Sequence, residues 1–153
     1  MAKLKVGDKA PPFRLEDQNG RWVSLDQFRG TRLLLYFYPK ADTPGCIRQA
    51  CNVRDGAEHL QAAGAAVTGI SPDPPEKQRR FDQKYHLGFP LLSDPDHRVA
   101  EAYGAWGRKS MYGKTCEGII RSSFLIDEDG YIQQATYRIK PEDTVLLAEK
   151  VLV

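Results

Sequence analysis

The sequence predicts an α/β fold in which helices cover both faces of a mixed central sheet. Two apolar runs, residues 33–38 and 65–70, have the length and composition of buried strands, and a helical segment separates them. Hairpin patterns lie at residues 13–24 and 123–137. Strands that alternate with helices favour parallel pairing, whereas hairpin strands pair antiparallel, so the sheet should be mixed. With 153 residues, the chain is expected to form one domain over 1–153.

The first half of the chain predicts a hairpin, a buried strand and a long helix. Residues 13–15 and 22–24 flank the turn DQNG and form the predicted N-terminal β-hairpin. Residues 33–38 follow as the central strand. A helix is expected from Pro44 to about residue 63, because Thr43 suits the N-cap and Pro44 the first helical position. Gly64 ends this helix, and residues 65–70 return to the sheet.

The second half has weaker patterns until its last hairpin. The prediction is a polar helix over 74–85, a short strand over 90–93 and a brief helix over 99–103. Strands at 123–126 and 131–137 flank the turn DEDG. Pro141 opens the closing helix. Its predicted apolar face consists of Val145, Leu146, Ala148, Val151 and Leu152.

Composition and charge narrow the class of protein. The net charge of +2 is too small to indicate a nucleic-acid partner or a membrane surface. The longest apolar run, residues 33–38, is too short to span a bilayer, and the start of the chain has no signal-peptide pattern. Three cysteines are too few, and odd in number, for a disulfide framework. A reducing cytoplasm is therefore the expected location.

The segment PKADTPGCIRQAC, residues 39–51, carries the chemistry. Its first cysteine, Cys46, falls at the third position of the predicted helix. Free backbone amides and the positive end of the helix dipole both favour a thiolate there. At 100° per residue, Cys46 also heads the apolar stripe of Ala50, Val53, Ala57 and Leu60.

The second cysteine of this segment, Cys51, lies about 140° around the helix from Cys46, on a mostly polar face. Cysteines are usually buried, so this position favours a reactive role. In an intact helix, residues five apart have Cα atoms roughly 8 to 9 Å apart. A disulfide requires less than about 7 Å. Any bond between Cys46 and Cys51 therefore requires the helix to unwind locally.

The spacing of Pro39, Thr43 and Cys46 resembles the P-x-x-x-T-x-x-C signature of peroxiredoxins. With Cys51 added, the chain is similar to the bacterioferritin comigratory protein class, the Q-type peroxiredoxins. The likeness extends to KVGDKAPPFRLEDQNG, LLLYFYP, GRKSMYGK and IIRSSFLIDEDG. It implies a thioredoxin-like fold and a thiol peroxidase that reduces hydrogen peroxide and organic hydroperoxides in antioxidant defence. It also implies thioredoxin or a similar dithiol as reductant, and a monomer.

The same resemblance assigns roles to five residues. Cys46 attacks the peroxide and becomes a sulfenic acid. Thr43 faces the bound peroxide, Pro39 shields the thiolate from water, and Arg121 stabilises the thiolate and polarises the peroxide. Cys51 resolves the sulfenic acid as an intramolecular disulfide.

Other candidates keep simpler interpretations. Gln49, one turn beyond Cys46, could assist it, but a solvated side chain is the expected interpretation. Cys116 is interpreted as a loop or strand thiol that could compete with Cys51 as the resolving residue. His59, His86 and His97 lack the spacing of metal ligands, so no metal is predicted. No glycine-rich loop joins a strand to a helix with phosphate-binding spacing, so no nucleotide cofactor is predicted.

Two other functions remain open from the residues alone. A general disulfide oxidoreductase would use a C-x-x-C dithiol, which needs no unwinding, whereas this chain has C-x-x-x-x-C. A non-catalytic peroxide sensor would use the oxidised helix as a signal to a partner. Sustained peroxide turnover separates a peroxidase from a sensor, which oxidises once and stops.

Overall fold

The computed structural model describes residues 3–111 and 113–152. The described strands are β1 (Arg14–Glu16), β2 (Trp22–Ser24), β3 (Arg32–Phe37), β4 (Ala65–Ser71), β5 (Leu91–Ser93), β6 (Trp106–Met111), β7 (Lys114–Ile119), β8 (Ser122–Ile126) and β9 (Ile132–Tyr137). The described helices are α1 (Pro44–Ala62), α2 (Pro75–Tyr85), α3 (Arg98–Ala102) and α4 (Thr144–Leu152). Single turns of 3₁₀ helix lie at Leu25–Phe28 and Pro141–Asp143.

The main sheet is mixed, as the sequence predicts. Its strand order is β2-β1-β5-β4-β3-β8-β9. β3 pairs in parallel with β4, and β4 with β5, whereas β8 runs antiparallel to β3 and β9. The N-terminal hairpin β1–β2 joins the sheet through an antiparallel contact between β1 and β5. β3 is therefore an interior strand with neighbours on both sides.

The side chains of β3 alternate between two hydrophobic clusters. Leu34, Tyr36 and Tyr38 face the cluster built with α1, α2 and α4, whereas residues 33, 35 and 37 face the cluster that includes α3. Leu33, Leu34 and Leu35 are fully buried. Burying one leucine side chain contributes about 1.5–3 kcal/mol to stability. Because β3 buries side chains on both of its faces, it stabilises the hydrophobic clusters on both sides of the sheet. Helices thus cover both faces of the sheet, which confirms the predicted α/β class.

Most element boundaries agree with the predictions to within one or two residues. The closing helix is an exception, because Pro141 opens a 3₁₀ turn and α4 itself begins three residues later, at Thr144. The hairpin β6–β7 is absent from the predictions. Its strands pair only with each other, from Trp106 opposite Ile119 to Met111 opposite Lys114. The segment is polar and glycine-containing, and residues 114–118 are exposed or half-buried. A hairpin that is mostly exposed over residues 114–118 lacks the alternation by which strands are recognised in a sequence.

The apolar face predicted for α4 is partly wrong. Val145 and Ala148 are buried, and Leu152 packs against the same core, but Leu146 and Val151 are 49% and 38% exposed. At 100° per residue, positions 145, 148 and 152 point the same way, whereas 146 and 151 lie more than 90° from Val145. The short helix therefore buries a narrower stripe than its composition indicates. None of the helices in the described ranges has the length and apolar character that a membrane span requires.

Candidate active site

Cys46 lies where the central strand passes into the first helix. β3 ends at Phe37, and the amide of Tyr38 still donates to the carbonyl of Ile70 at 3.0 Å. The chain then turns and enters α1 at Pro44, so that Cys46 occupies the third helical position, as predicted. The Cys46 side chain is 1% exposed, and Ala50, Val53 and Leu60 continue its buried stripe. The thiol therefore lies at the positive end of a 19-residue helix.

Hydrogen bonds with α2 and with the segment after β4 stabilise the turn before α1, at residues 40–43. The Asp73 carboxylate accepts the amide of Ala41 at 2.7 Å. Asp42 has a left-handed backbone, with φ of 61°, and accepts hydrogen bonds from Lys84 Nζ and the Tyr85 hydroxyl, each at 3.0 Å. The hydrogen bond from Lys84 holds the pKa of the Asp42 carboxyl below its usual value. These contacts fix a strained turn that presents α1 to the site.

Thr43 does not cap α1 with its side chain, contrary to the sequence prediction. It has the extended backbone of an N-cap, and its carbonyl accepts the amide of Ile47 at 2.8 Å. Its hydroxyl instead donates to the carbonyl of Lys40 at 2.8 Å. The tight turn over residues 40–43 brings that carbonyl within reach, so the hydroxyl bonds backwards along the chain. The oxygen lone pairs of Thr43 are free to accept a hydrogen bond.

Arg121 reaches Cys46 across 75 positions of sequence. Its Nη2 lies 3.4 Å from the Cys46 sulfur. The sheet produces this contact, because Ser122 at the start of β8 is paired with Phe37 at the end of β3. Arg121 is half-buried, and its carbonyl accepts the amide of Ile139 at 3.0 Å. A permanent cation is thus fixed beside the thiol.

Gln49 is buried, and the prediction that it is solvated is wrong. Its side chain is 0% exposed. Its Oε1 accepts Arg121 Nη1 at 2.7 Å, and its Nε2 donates to the Thr144 hydroxyl at 3.1 Å. Its position one turn after Cys46, beside the buried stripe, is the sequence signal that could have identified it. Gln49 orients the guanidinium and links it to the start of α4.

Two buried tyrosines lie beneath the first turns of α1. Tyr36 and Tyr38 belong to the same hydrophobic cluster as Cys46. Burial raises the pKa of Tyr36 well above its usual value, and the neighbouring Tyr38 adds to the shift. Burial likewise raises the pKa of Tyr38, whose hydroxyl donates to the side chain of Gln78. Both phenols therefore stay uncharged near neutral pH and do not compete with the Cys46 thiolate for Arg121.

Cys51 is not in contact with Cys46 in this form of the protein. Both residues are free thiols, with Cys46 buried and Cys51 half-buried. They are five positions apart on an unbroken α1, a separation at which the Cα atoms are roughly 8 to 9 Å apart. That exceeds the limit of about 7 Å for a disulfide. The folded helix therefore keeps Cys51 away from Cys46.

The remaining candidates lie at the margin of the site or outside it. Pro39 is half-buried between the end of β3 and the turn at Asp42. Cys116 is exposed on β7, opposite Lys109 of β6. Burial, and then the charge of Arg121, lowers the pKa of Lys109.

The three histidines are on separate helices, at the last turn of α1, the C-cap of α2 and the N-cap of α3. In the ranges that the structure describes, no group of three His, Cys, Asp or Glu side chains is arranged to hold a metal ion.

Comparisons with known proteins identify the family of the chain. Residues 6–135 match the AhpC/TSA family. Peroxiredoxin Bcp of Escherichia coli is 57% identical over 133 residues, which cover 87% of this chain and 85% of the relative. The crystal structure of peroxidoxin BcpB from Mycobacterium tuberculosis has a TM-score of 0.83 at 33% identity and covers 97% of this chain and 94% of its own.

A third relative is the bacterioferritin comigratory protein of Xanthomonas campestris, whose structures were described for its alkyl peroxide reduction activity. It has a TM-score of 0.85 at 31% identity, with 92% of this chain and 89% of its own covered. These matches confirm the thioredoxin-like fold and the resemblance seen in the sequence. The chain belongs to the AhpC/TSA family, as a peroxiredoxin of the bacterioferritin comigratory protein type and thus a thiol-dependent peroxidase.

Proposed function

We propose that this peroxiredoxin reduces hydrogen peroxide and organic hydroperoxides through a sulfenic acid on Cys46, which Cys51 resolves as an intramolecular disulfide that thioredoxin then reduces. The observation that carries the proposal is the contact of 3.4 Å between Arg121 Nη2 and the Cys46 sulfur. This contact places a fixed cation at a buried thiol on a helix N-terminus. The alkyl peroxide reduction of the Xanthomonas campestris relative supports the inclusion of organic hydroperoxides.

In the first step the Cys46 thiolate attacks one peroxide oxygen. A sulfur–oxygen bond forms as the oxygen–oxygen bond breaks, and the attacked oxygen keeps its hydrogen in the sulfenic acid. The departing oxygen takes a proton from solvent and leaves as water or an alcohol. Negative charge moves from sulfur to the departing oxygen. A hydrogen-bond donor that reaches both the sulfur and this oxygen therefore stabilises the transition state. Arg121 suits this role, because its guanidinium has several donors and cannot lose its charge.

Thr43 and Pro39 would complete the peroxide site. The Thr43 hydroxyl donates a hydrogen bond to the carbonyl of Lys40, so its oxygen lone pairs remain available as acceptors. We assign them to accept the hydrogen of the bound hydroperoxide, which would orient its terminal oxygen toward sulfur. Pro39 has no amide donor, and its half-buried ring at the entrance would limit the access of water to the thiolate.

In the second step the Cys51 thiol attacks the Cys46 sulfur of the sulfenic acid. The disulfide forms and the hydroxyl group leaves as water with the Cys51 proton. Because α1 holds these residues too far apart, its first turns must open before this step. The opened segment also exposes the disulfide, so that a thioredoxin thiolate could reach it.

The decisive experiment follows peroxide consumption with thioredoxin, thioredoxin reductase and NADPH. The wild type should turn over many times, and Cys46→Ser should have no activity, because a serine hydroxyl is almost never ionised near neutral pH. Cys51→Ser should oxidise once and then stall. Cys116→Ser serves as the control and should keep wild-type turnover.

Other outcomes would separate the alternatives. A single oxidation of the wild type without turnover would indicate a sensor, and repeated turnover by Cys51→Ser would exclude its resolving role. Loss of turnover in Cys116→Ser would assign resolution to Cys116.

Further parts of the proposal concern the state and location of the protein. We propose that it acts as a monomer, because resolution within one helix needs no second chain. We also propose a reducing compartment, the cytoplasm, where thiols such as the three cysteines here stay reduced and thioredoxin is available. Removal of hydroperoxides there would constitute antioxidant defence.

A further inference from the structure

Gly45, which directly precedes Cys46, is not required by the shape of its own backbone. It lies within α1, and its φ is outside the left-handed region that favours glycine. Glycine is also among the least favourable residues for a helix. Local conformation therefore gives no reason for a glycine at this position.

The glycine is explained by the position of the Arg121 guanidinium next to residue 45. A Cβ atom at position 45 would lie 2.9 Å from Arg121 Nη2 and 3.6 Å from Arg121 Cζ. Real Cβ atoms do not approach other heavy atoms to 2.9 Å, so a side chain at position 45 would have to displace the guanidinium. Nη2 is the same nitrogen that lies 3.4 Å from the Cys46 sulfur.

The Arg121 guanidinium cannot move aside without losing a contact with Cys46 or with Gln49. Its other terminal nitrogen, Nη1, donates to Gln49 Oε1 at 2.7 Å, and Gln49 is fully buried. A group added at position 45 pushes Nη2 away from sulfur or breaks the bond to Gln49. Gly45 thus leaves room for the planar fork of Arg121 near Nη2, and Gln49 accepts a hydrogen bond from Nη1.

We propose that Gly45 is a positioning residue whose missing side chain gives Arg121 its place against the Cys46 thiol. Gly45 itself does not touch the peroxide in this assignment, and it acts through the guanidinium. The inference rests on the proposed roles of Cys46 and Arg121.

The test compares Gly45→Ala with Gly56→Ala on the same helix. A Cβ at position 56 would meet Val145 Cγ1 at 2.7 Å, so this control is equally crowded but faces the core. Three measurements are made on each variant. These are the rate of single oxidation by hydrogen peroxide, the pH dependence of Cys46 alkylation mapped by mass spectrometry, and the melting temperature.

Gly45→Ala should slow oxidation by about tenfold and shift Cys46 alkylation to higher pH, because a displaced donor stabilises sulfur and the leaving oxygen less well. Its melting temperature should change less than that of Gly56→Ala, since the helix propensity of alanine offsets part of any loss of the bond between Arg121 and Gln49. Gly56→Ala should instead melt at a lower temperature with wild-type oxidation and alkylation. In the Arg121→Met background, Gly45→Ala should cause no further loss, because no guanidinium remains to be displaced.

Wild-type oxidation and alkylation in Gly45→Ala, with a slow Arg121→Met, would overturn this inference and leave the proposed function standing. A double variant slower than Arg121→Met alone would also overturn it, since the added methyl group would then act through the helix. Failure of the wild type to react with peroxide would overturn the proposed function instead. The alkylation profiles would still show whether Gly45 governs the environment of Cys46.

Discussion

At the scale of single residues, the site depends on one cation whose position is set by its neighbours. Arg121 contacts the Cys46 sulfur with one terminal nitrogen and Gln49 with the other. A guanidinium is effective when its fork is fixed, because little freedom is then lost in the transition state. The buried amide of Gln49 supplies that fixation and is in turn held by Thr144.

We expect Gln49→Met to slow the oxidation of Cys46 by about tenfold, because Arg121 loses the acceptor that orients it. The free energy of unfolding should also fall by about 1–3 kcal/mol, the usual cost of unpaired buried polar groups. Stopped-flow oxidation and chemical denaturation measure the two effects.

Thr144→Val is the matched control for Gln49→Met. It removes the other hydrogen bond of Gln49 and leaves the bond to Arg121 intact. It should lower stability with little change in the oxidation rate. Equal rates of oxidation in wild type and Gln49→Met would exclude a positioning role for this amide.

At the scale of elements, the proposed mechanism gives α1 two tasks that require opposite states. Folded, it holds Cys46 in the buried stripe beside Arg121. Opened, it allows Cys51 to reach the sulfur, which an intact helix prevents. In this mechanism, the stability of the first turns of α1 would set the balance between peroxide attack and disulfide formation.

Hydrogen exchange should reveal this opening. When the Cys46–Cys51 disulfide forms, amide exchange should accelerate over residues 45–53, where the helical bonds are lost, while β3 stays protected in the middle of the sheet. Mass spectrometry of reduced and oxidised protein provides the measurement. Identical exchange in both states, with the disulfide confirmed, would contradict an opening of α1.

Asn52 provides a second test of the same element. Helix propensity alone predicts that Asn52→Ala stiffens α1, by at most about 0.7 kcal/mol. The structure reverses that expectation, because Asn52 Oδ1 accepts the amide of Val145 at 3.2 Å and so ties α1 to α4. Loss of this bond costs about 1–3 kcal/mol, which outweighs the gain in propensity.

We therefore expect Asn52→Ala to open more readily, to form the disulfide faster and to accumulate less sulfinic acid in excess peroxide. Mass spectrometry of Cys46 after graded peroxide, with thioredoxin recycling, quantifies the sulfinic acid. Glu58→Ala, an exposed change on the same helix, is the control. More sulfinic acid in Asn52→Ala than in the wild type would show that propensity dominates.

At the scale of the whole molecule, the fold joins distant segments at the C-terminal end of β3. The parallel and antiparallel neighbours of this strand bring the end of β4 and the start of β8 to the turn before α1. Asp73 and Arg121 thereby reach residues 41 and 46 from opposite sides of the strand. A single chain provides every proposed catalytic residue.

Light scattering should therefore give the mass of one chain, 17.2 kDa, in both the reduced and the peroxide-oxidised protein. The reason is that Cys46 and Cys51 lie on one helix, so their disulfide links no second molecule. A doubled mass after oxidation that is lost in Cys116→Ser would indicate an intermolecular bond through the exposed Cys116.

The sequence by itself determined the features that depend on neighbours along the chain. The start of α1 at Pro44, the stripe headed by Cys46 and the buried runs of β3 and β4 follow from capping residues and from periods of 3.6 and 2. The requirement that α1 opens for a Cys46–Cys51 disulfide follows from the same geometry. Only the resemblance to peroxiredoxins singled out Arg121, because its contact with Cys46 spans 75 positions.

The tertiary structure decided the features that depend on which surfaces meet. Gln49 is buried because α4 and Arg121 pack over it, although glutamine on a helix is ordinarily solvated. The Thr43 hydroxyl donates to the carbonyl of Lys40 because the turn brings that carbonyl to 2.8 Å. The need for a glycine at position 45 is explained only by the position of Arg121, whose guanidinium would clash with a Cβ atom there. A local pattern shows which side of a helix is covered, whereas pairing of distant strands determines what covers it.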